Sequence, residues 1–239
     1  MPLPKHGKTV KKTLKLDWDY PLYGSKKIIS RKNNQTIAQA VKRALPREEA
    51  FINIAKDDKR PLLVLRECKQ CNGTDNALLS SSDNNEDILV MVKWFHCIKL
   101  PQTILDESHA FHNLFNEKHP PHLFVSKWDG SEHIPLRGDL SRTELIDNLH
   151  TMLGLTYSKG TKPRVKELKN LLYKYDMLDE KIQRLEITID NELENKGPRS
   201  KKLKKYRNQL GKALNELQSL KKKESELYKI KLLDSSIAK

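Results

Sequence analysis

The chain has 239 residues, with 45 Lys+Arg against 31 Asp+Glu, a formal charge of +14 and a pI near 9.5. Its hydrophobic fraction of 37% falls below the roughly 45–50% of a compact globular domain. No stretch approaches the roughly 20 apolar residues of a membrane span, and the basic start, Met1 to Lys8, lacks the apolar core of a secretory signal. Three cysteines exclude a disulfide-stapled scaffold and point to a reducing, cytoplasmic setting or a dedicated cysteine chemistry.

The positive charge lies at the two ends: residues 1–60 carry +9, residues 61–160 carry −4 and residues 161–239 carry +9. Residues 1–33 read as a basic extended arm whose Leu16, Trp18, Tyr20, Leu22 and Tyr23 are expected to pack on the core. Gln35 to Leu45 and Glu48 to Lys56 have helical spacing, interrupted at Pro46. Pro61-Leu62-Leu63-Val64-Leu65 and Ile88 to Phe95 are apolar runs that read as strands buried on both faces. A partly helical stretch, Ile104 to Phe115, precedes a third strand, Pro121 to Val125. Trp128-Asp129-Gly130 is a turn, because Asp-Gly supplies positive φ. Glu132 to Arg137 returns as a strand, with Pro135 suited to an edge. Ser141-Arg142-Thr143-Glu144 matches a helical capping box ahead of Leu145, Ile146, Leu149 and Leu153 at helical spacing. The sum is an α/β domain over residues 34–157, with a four-strand central sheet flanked by helices.

From Arg164 the composition changes. Val165, Leu168, Leu172, Tyr175, Leu178, Ile182, Leu185, Ile189 and Leu193 advance by threes and fours. Gly197-Pro198 supplies a C-cap glycine and a helix-starting proline. Leu203, Tyr206, Leu210, Ala213, Leu217, Leu220 and Leu227 then keep a heptad, with Glu224 the one polar seam position. Residues 163–230 therefore read as a C-terminal antiparallel α-helical hairpin, a coiled coil, followed by a flexible tail at 231–239.

The chemically informative motif is Cys68-Lys69-Gln70-Cys71, directly after the first strand. A CxxC at a strand's end, opening a helix, puts its first sulfur where the helix dipole and free N–H groups favour the thiolate. Lys69 acts in the same direction. Cys68 is thereby the candidate nucleophile, and Cys71 is spaced to resolve the mixed disulfide it forms.

Over Arg47 to Leu153 the chain resembles the thioredoxin-fold family. The shared features are a helix running into Lys59-Arg60-Pro61-Leu62-Leu63-Val64, CxxC at 68–71, Pro121 opening a strand, the Asp129-Gly130 turn, Gly138-Asp139-Leu140-Ser141 and a terminal helix. The resemblance implies a thioredoxin-like central sheet and a thiol–disulfide oxidoreductase with a redox-active disulfide. It also implies that Pro121 is a cis-proline against the cysteine pair, with Pro120 the weaker match, and that a protein disulfide is the substrate, with no cofactor. Three features depart from the pattern. Glu67 stands where the family has an aromatic, and its charge opposes the Cys68 thiolate. Leu62 stands where the family has a buried acid, and the segment from Asn72-Gly73-Thr74 to Asn85 gives only a short helix. The alternative is a non-catalytic thioredoxin-like scaffold whose helical hairpin mediates protein interaction or oligomerisation.

Cys97, beside His96, reads as an ordinary buried thiol. The alternatives are a third redox cysteine and a zinc set from Cys68, Cys71, His96 and Cys97, the latter opposed by the lack of a second close pair and by the opposite facing of adjacent strand residues. His109, His112, His119, His122 and His133 show no paired ligand spacing and read as solvent-exposed. Lys201-Lys202, Lys204-Lys205 and Lys221-Lys222-Lys223 read first as solvated lysines of the coiled coil, and alternatively as a face for an anionic membrane surface or for weak, nonspecific nucleic-acid binding without base readout.

Overall fold

The computed structural model describes residues 14–22, 43–67, 79–80, 85–115, 122–136, 141–158 and 160–233. These divide into two compact units, one within Leu16–Ser80 and Val92–Thr156, the other within Met1–Lys15, Ser81–Met91 and Tyr157–Lys239.

The first unit is built on a four-stranded mixed sheet of β1 (Leu62–Arg66), β2 (His96–Leu100), β3 (Leu123–Ser126) and β4 (Ile134–Leu136), in the order β2-β1-β3-β4. β1 and β2 are parallel, with Leu62 opposite His96 and Arg66 opposite Leu100. β3 is antiparallel to both β1 and β4. Every residue of β1 is buried: Leu62 to Leu65 are apolar, as a central strand covered on both faces requires, and Arg66 ends the strand as a buried charge. On one face Leu62, Val64, Ile98, Leu100 and Phe124 join Phe51 and Ile54 of helix α1 (Arg47–Ala55) and Phe111, Leu114 and Phe115 of the segment behind β2. Phe51 and Phe124 meet edge to face at 5.9 Å. The Arg47 guanidinium ties α1 to that segment by donating to the Asn113 carbonyl at 3.0 Å.

Helix α3 (Arg142–Thr156) follows β4 and buries Leu145, Leu149, Met152 and Leu153. Its capping box is formed as its sequence specifies. The Ser141 N–H donates to Glu144 Oε2 at 2.8 Å, and the Glu144 N–H donates to Ser141 Oγ at 3.2 Å. Between β3 and β4, Gly130 has φ +84, and Asp129 Oδ1 accepts from the Ser131 N–H and hydroxyl. The N-terminal segment adds at the free edge of β2 through its backbone. The Asp19 N–H donates to the Cys97 carbonyl at 2.8 Å, and the Lys99 N–H to the Asp19 carbonyl at 2.9 Å. The side chains expected to pin it do less: Tyr20 and Leu22 are exposed, while Leu16 and Trp18 are half-buried.

The second unit contains α2 (Glu86–Met91), α4 (Lys162–Lys196) and α5 (Lys201–Tyr228). The run Ile88 to Phe95, read from sequence as a strand, is instead α2 followed by a 3-10 turn at Val92–Trp94, and β2 begins one residue later, at His96. A run that is apolar but for Lys93 carries no period that separates helix from strand. Here Glu86 and Asp87 occupy the first turn, where carboxylates favour a helix. In α2, Ile88, Leu89, Val90 and Met91 are all buried, and Asp87 pairs with Lys169 of α4 at 2.8 Å.

α4 ends at Gly197, whose φ is +71 and whose N–H donates to the Leu193 carbonyl. Pro198 lies in the turn, and α5 starts at Lys201 with Ser200 as N-cap. Side-chain links join the start of α4 to the end of α5. Arg164 donates to the Leu227 carbonyl at 2.7 Å, Lys223 pairs with Glu167 at 2.6 Å, and the Tyr175 hydroxyl donates to Glu224 at 2.7 Å. At the opposite ends, Ser200 donates to Glu192 at 2.6 Å. Lys231 and Leu232, beyond α5, pair with the segment before α4. The Ser158 N–H donates to the Lys231 carbonyl, and Tyr157 bridges Leu232.

Candidate functional site

Cys68, Cys71 and Pro121 lie outside the described residues, as do Lys69 and His119. What the structure describes is the frame that flanks them. β1 runs through Arg66 into Glu67, the residue before Cys68, and β3 is entered through His122, the residue after Pro121. The Arg66 N–H donates to the His122 carbonyl at 2.7 Å, and the Glu67 N–H donates to the Leu100 carbonyl at 2.9 Å. The sheet ladder thus continues past β1 on both sides, fixing the backbone at these three strand ends.

Side chains reinforce the frame. Arg66 is 5% exposed, and its Nη2 lies 2.9 Å from His122 Nδ1. The guanidinium sits 5.8 Å from the Phe115 ring centroid, within cation–π range. A guanidinium only donates, so the imidazole Nδ1 accepts and the ring in this contact is neutral. Burial lowers the Arg66 pKa from its ordinary value. A cation is thereby held, desolvated, two residues before Cys68. Glu67 does not stand alone: Lys99 Nζ lies 3.2 Å from its Oε1. That pair offsets the negative charge expected to oppose the thiolate.

His96 and Cys97 lie elsewhere on the sheet. The parallel register sets them beside Leu62 and Leu63. Glu67 is four or five residues further along, roughly 13–17 Å at about 3.3 Å per residue. Desolvation pushes the Cys97 thiol up to about 12, although Arg60 and Lys93 pull the other way. Its Sγ lies 3.7 Å from the Val92 carbonyl, the setting of a packed thiol rather than a metal ligand, which must be a thiolate. His96 is engaged by carboxylates, with Nε2 3.2 Å from Asp19 Oδ2 and Nδ1 3.9 Å from Asp58 Oδ2. Desolvation disfavours the charge on Asp58, but hydrogen bonds from Arg60 outweigh it and hold that carboxyl below its ordinary pKa. The same balance holds at Asp19, with Lys56 and His96 as the donors. Among the described residues no three His, Cys, Asp or Glu side chains gather as a metal site.

The histidines read as solvent-exposed are half-buried where they are described. His109 Nδ1 accepts the Phe111 N–H at 3.1 Å, and the His133 ring lies 4.6 Å from that of Phe124. The sequence reading also missed the Arg66–His122 pair, whose members are 56 positions apart. The one signal available was an arginine ending an otherwise apolar strand. Among the described residues no helix is long and apolar enough to cross a membrane.

No family model matches the chain, and no curated protein or solved structure matches it either.

Proposed function

We propose that the chain is a thioredoxin-like thiol–disulfide oxidoreductase with Cys68 and Cys71 as its redox dithiol, and that its two long helices form an antiparallel coiled-coil hairpin. The observation that carries this reading is the 2.7 Å hydrogen bond from the Arg66 N–H to the His122 carbonyl. It holds side by side two strand ends, one leading through Glu67 into the CxxC motif and the other following directly on Pro121. The order of elements supports it too: a helix, β1, the cysteine motif, α2, β2 parallel to β1, β3, a glycine turn, β4 and a capped helix.

In the proposed reaction the Cys68 thiolate attacks one sulfur of a protein disulfide. The Cys68–substrate bond forms as the substrate disulfide breaks, and one substrate thiolate leaves and takes a proton. The Cys71 thiolate then attacks Cys68 Sγ, expelling the second substrate thiolate and leaving a Cys68–Cys71 disulfide. The substrate gains two electrons and the enzyme loses two, which an external dithiol returns. The buried Arg66 guanidinium favours the thiolate, and Lys99 offsets the Glu67 charge that opposes it. Trapping tests the assignment. Cys71→Ser is expected to accumulate mixed disulfides through Cys68, and Cys68→Ser to accumulate none. Equal trapping by both variants contradicts it.

A second reading, assembly through the long helices, is favoured by Tyr173, Met177 and Ile187, which are large and exposed on α4. Sedimentation of the full chain tests it: a monomer at micromolar concentration rejects self-association.

A further inference from the structure

From Arg199 to Asn215 the chain has seven basic residues and no acidic one. An isolated solvated helix face of this length ordinarily interleaves signs, because opposite charges three or four apart stabilise it and like charges do the reverse. On α5 the apolar seam of Leu203, Tyr206, Leu210 and Ala213 is buried or half-buried. Lys201, Lys204, Lys205, Asn208, Gln209 and Lys212 recur by threes and fours on the other side. All six are exposed and line one shallow groove. At 1.5 Å per residue the stripe is about 17 Å long.

None of these four lysines forms an ion pair among the described residues, whereas Lys196, Lys223 and Lys229 are paired with Glu192, Glu167 and Glu226. Lys202 lies off the stripe and acts on Glu192, lowering the pKa of that carboxyl along with Ser200 and Lys196. The outer face of α5 is therefore a row of uncompensated cations interleaved with two carboxamides, which also donate to phosphate oxygens.

We propose that this face binds the phosphate backbone of double-stranded nucleic acid, independently of the cysteine chemistry. Charge complementarity identifies a polyanion, and the composition of the stripe narrows it. With no apolar residue on the stripe there is nothing to enter a bilayer. With no aromatic there is no platform for unpaired bases. Recognition is sequence-independent and falls with salt as condensed counterions are released.

The test uses the full chain and a fluorescent 24-base-pair DNA duplex, with binding read by anisotropy between 50 and 200 mM salt. Four phosphate contacts give a slope of log K against log salt of about −3.6, so affinity drops roughly 100-fold over that range. Replacing Lys201, Lys204, Lys205 and Lys212 together by Ala, which preserves helix propensity, removes most of the slope with helical circular dichroism unchanged. Replacing the ion-paired Lys169, Lys196 and Lys229 by Ala leaves it. Absence of binding at 50 mM salt overturns the proposal, as does a slope that the quadruple variant leaves unchanged. So does lysine-dependent binding to phosphatidylserine vesicles without binding to duplex.

Discussion

Arg66 and His122 are joined twice, backbone to backbone at 2.7 Å and guanidinium to imidazole at 2.9 Å. The backbone bond survives any substitution that keeps the strands, so side-chain variants report on the polar pair alone. His122→Ala leaves a buried guanidinium short of an acceptor and is expected to cost about 1–3 kcal/mol, read as a lower urea midpoint with an unchanged slope. Only the neutral ring accepts at Nδ1. Arg66→Met and His122→Ala are therefore expected to couple in a double-mutant cycle. Additive effects of the two substitutions contradict the assigned donor and acceptor.

Gly130 is constrained from two directions. Its φ of +84 disfavours any side chain, and a Cβ there would overlap the Cδ2, Cε2 and Cγ side of the Phe51 ring. Phe51 is itself locked against Phe124, so it has little room to withdraw. Gly130→Ala is expected to destabilise by about 2–4 kcal/mol, more than backbone strain alone supplies. Phe51→Leu should recover part of that loss in the double variant, measured by thermal unfolding.

These two sites show what was legible in sequence. Asp129-Gly130 announced its turn because only particular residues tolerate positive φ, and Ser141 to Glu144 announced a cap because the reciprocal bonds need those side chains at that spacing. β1 and β3 are legible as short apolar runs, and β4 as the strand that returns from the Asp129-Gly130 turn. The segment Ile88 to Phe95 was not, since burial on all sides erases the period, and β2 was missed because Lys99 and His96 dilute its apolar signal. The frame around the candidate site was hidden for another reason. The Arg66–His122 and Lys99–Glu67 contacts join residues far apart in the chain, and beyond an arginine ending an apolar strand nothing local marks them.

Cys97 is expected to be chemically silent in the folded chain. Its thiol, pushed up to about 12 by burial, should resist alkylation at pH 8 until denaturant is added. The folded pKa lies above the unfolded one near 9, so stability from the neutral thiol is full below about pH 9 and declines as pH rises toward 12. Cys97→Ala should cost about 1–2 kcal/mol at pH 7, and its deficit against wild type should narrow above pH 9. Rapid alkylation of native Cys97 would contradict the packing described.

Glu224 interrupts the apolar seam of α5, and the Tyr175 hydroxyl answers it at 2.7 Å. Burial, and then the hydrogen bond to Glu224, raise the Tyr175 pKa. Tyr175→Phe strands the carboxylate and is expected to cost about 1 kcal/mol. Adding Glu224→Leu should restore or exceed wild-type stability, because an apolar pair of similar volume fills the seam without desolvating a charge. Helical ellipticity against temperature reads both outcomes. A double variant less stable than Tyr175→Phe alone would contradict this account of the seam.

The central claim concerns one pair of sulfurs. Equilibrating the full chain across glutathione and dithiol buffers from roughly −180 to −300 mV, then alkylating and weighing it, tests that claim most directly. The expected result is a two-electron transition in which Cys68 and Cys71 lose alkylation together, abolished by Cys68→Ser or Cys71→Ser and unmoved by Cys97→Ser. If both thiols remain alkylated at every potential in that range, the chain is not an oxidoreductase of this kind.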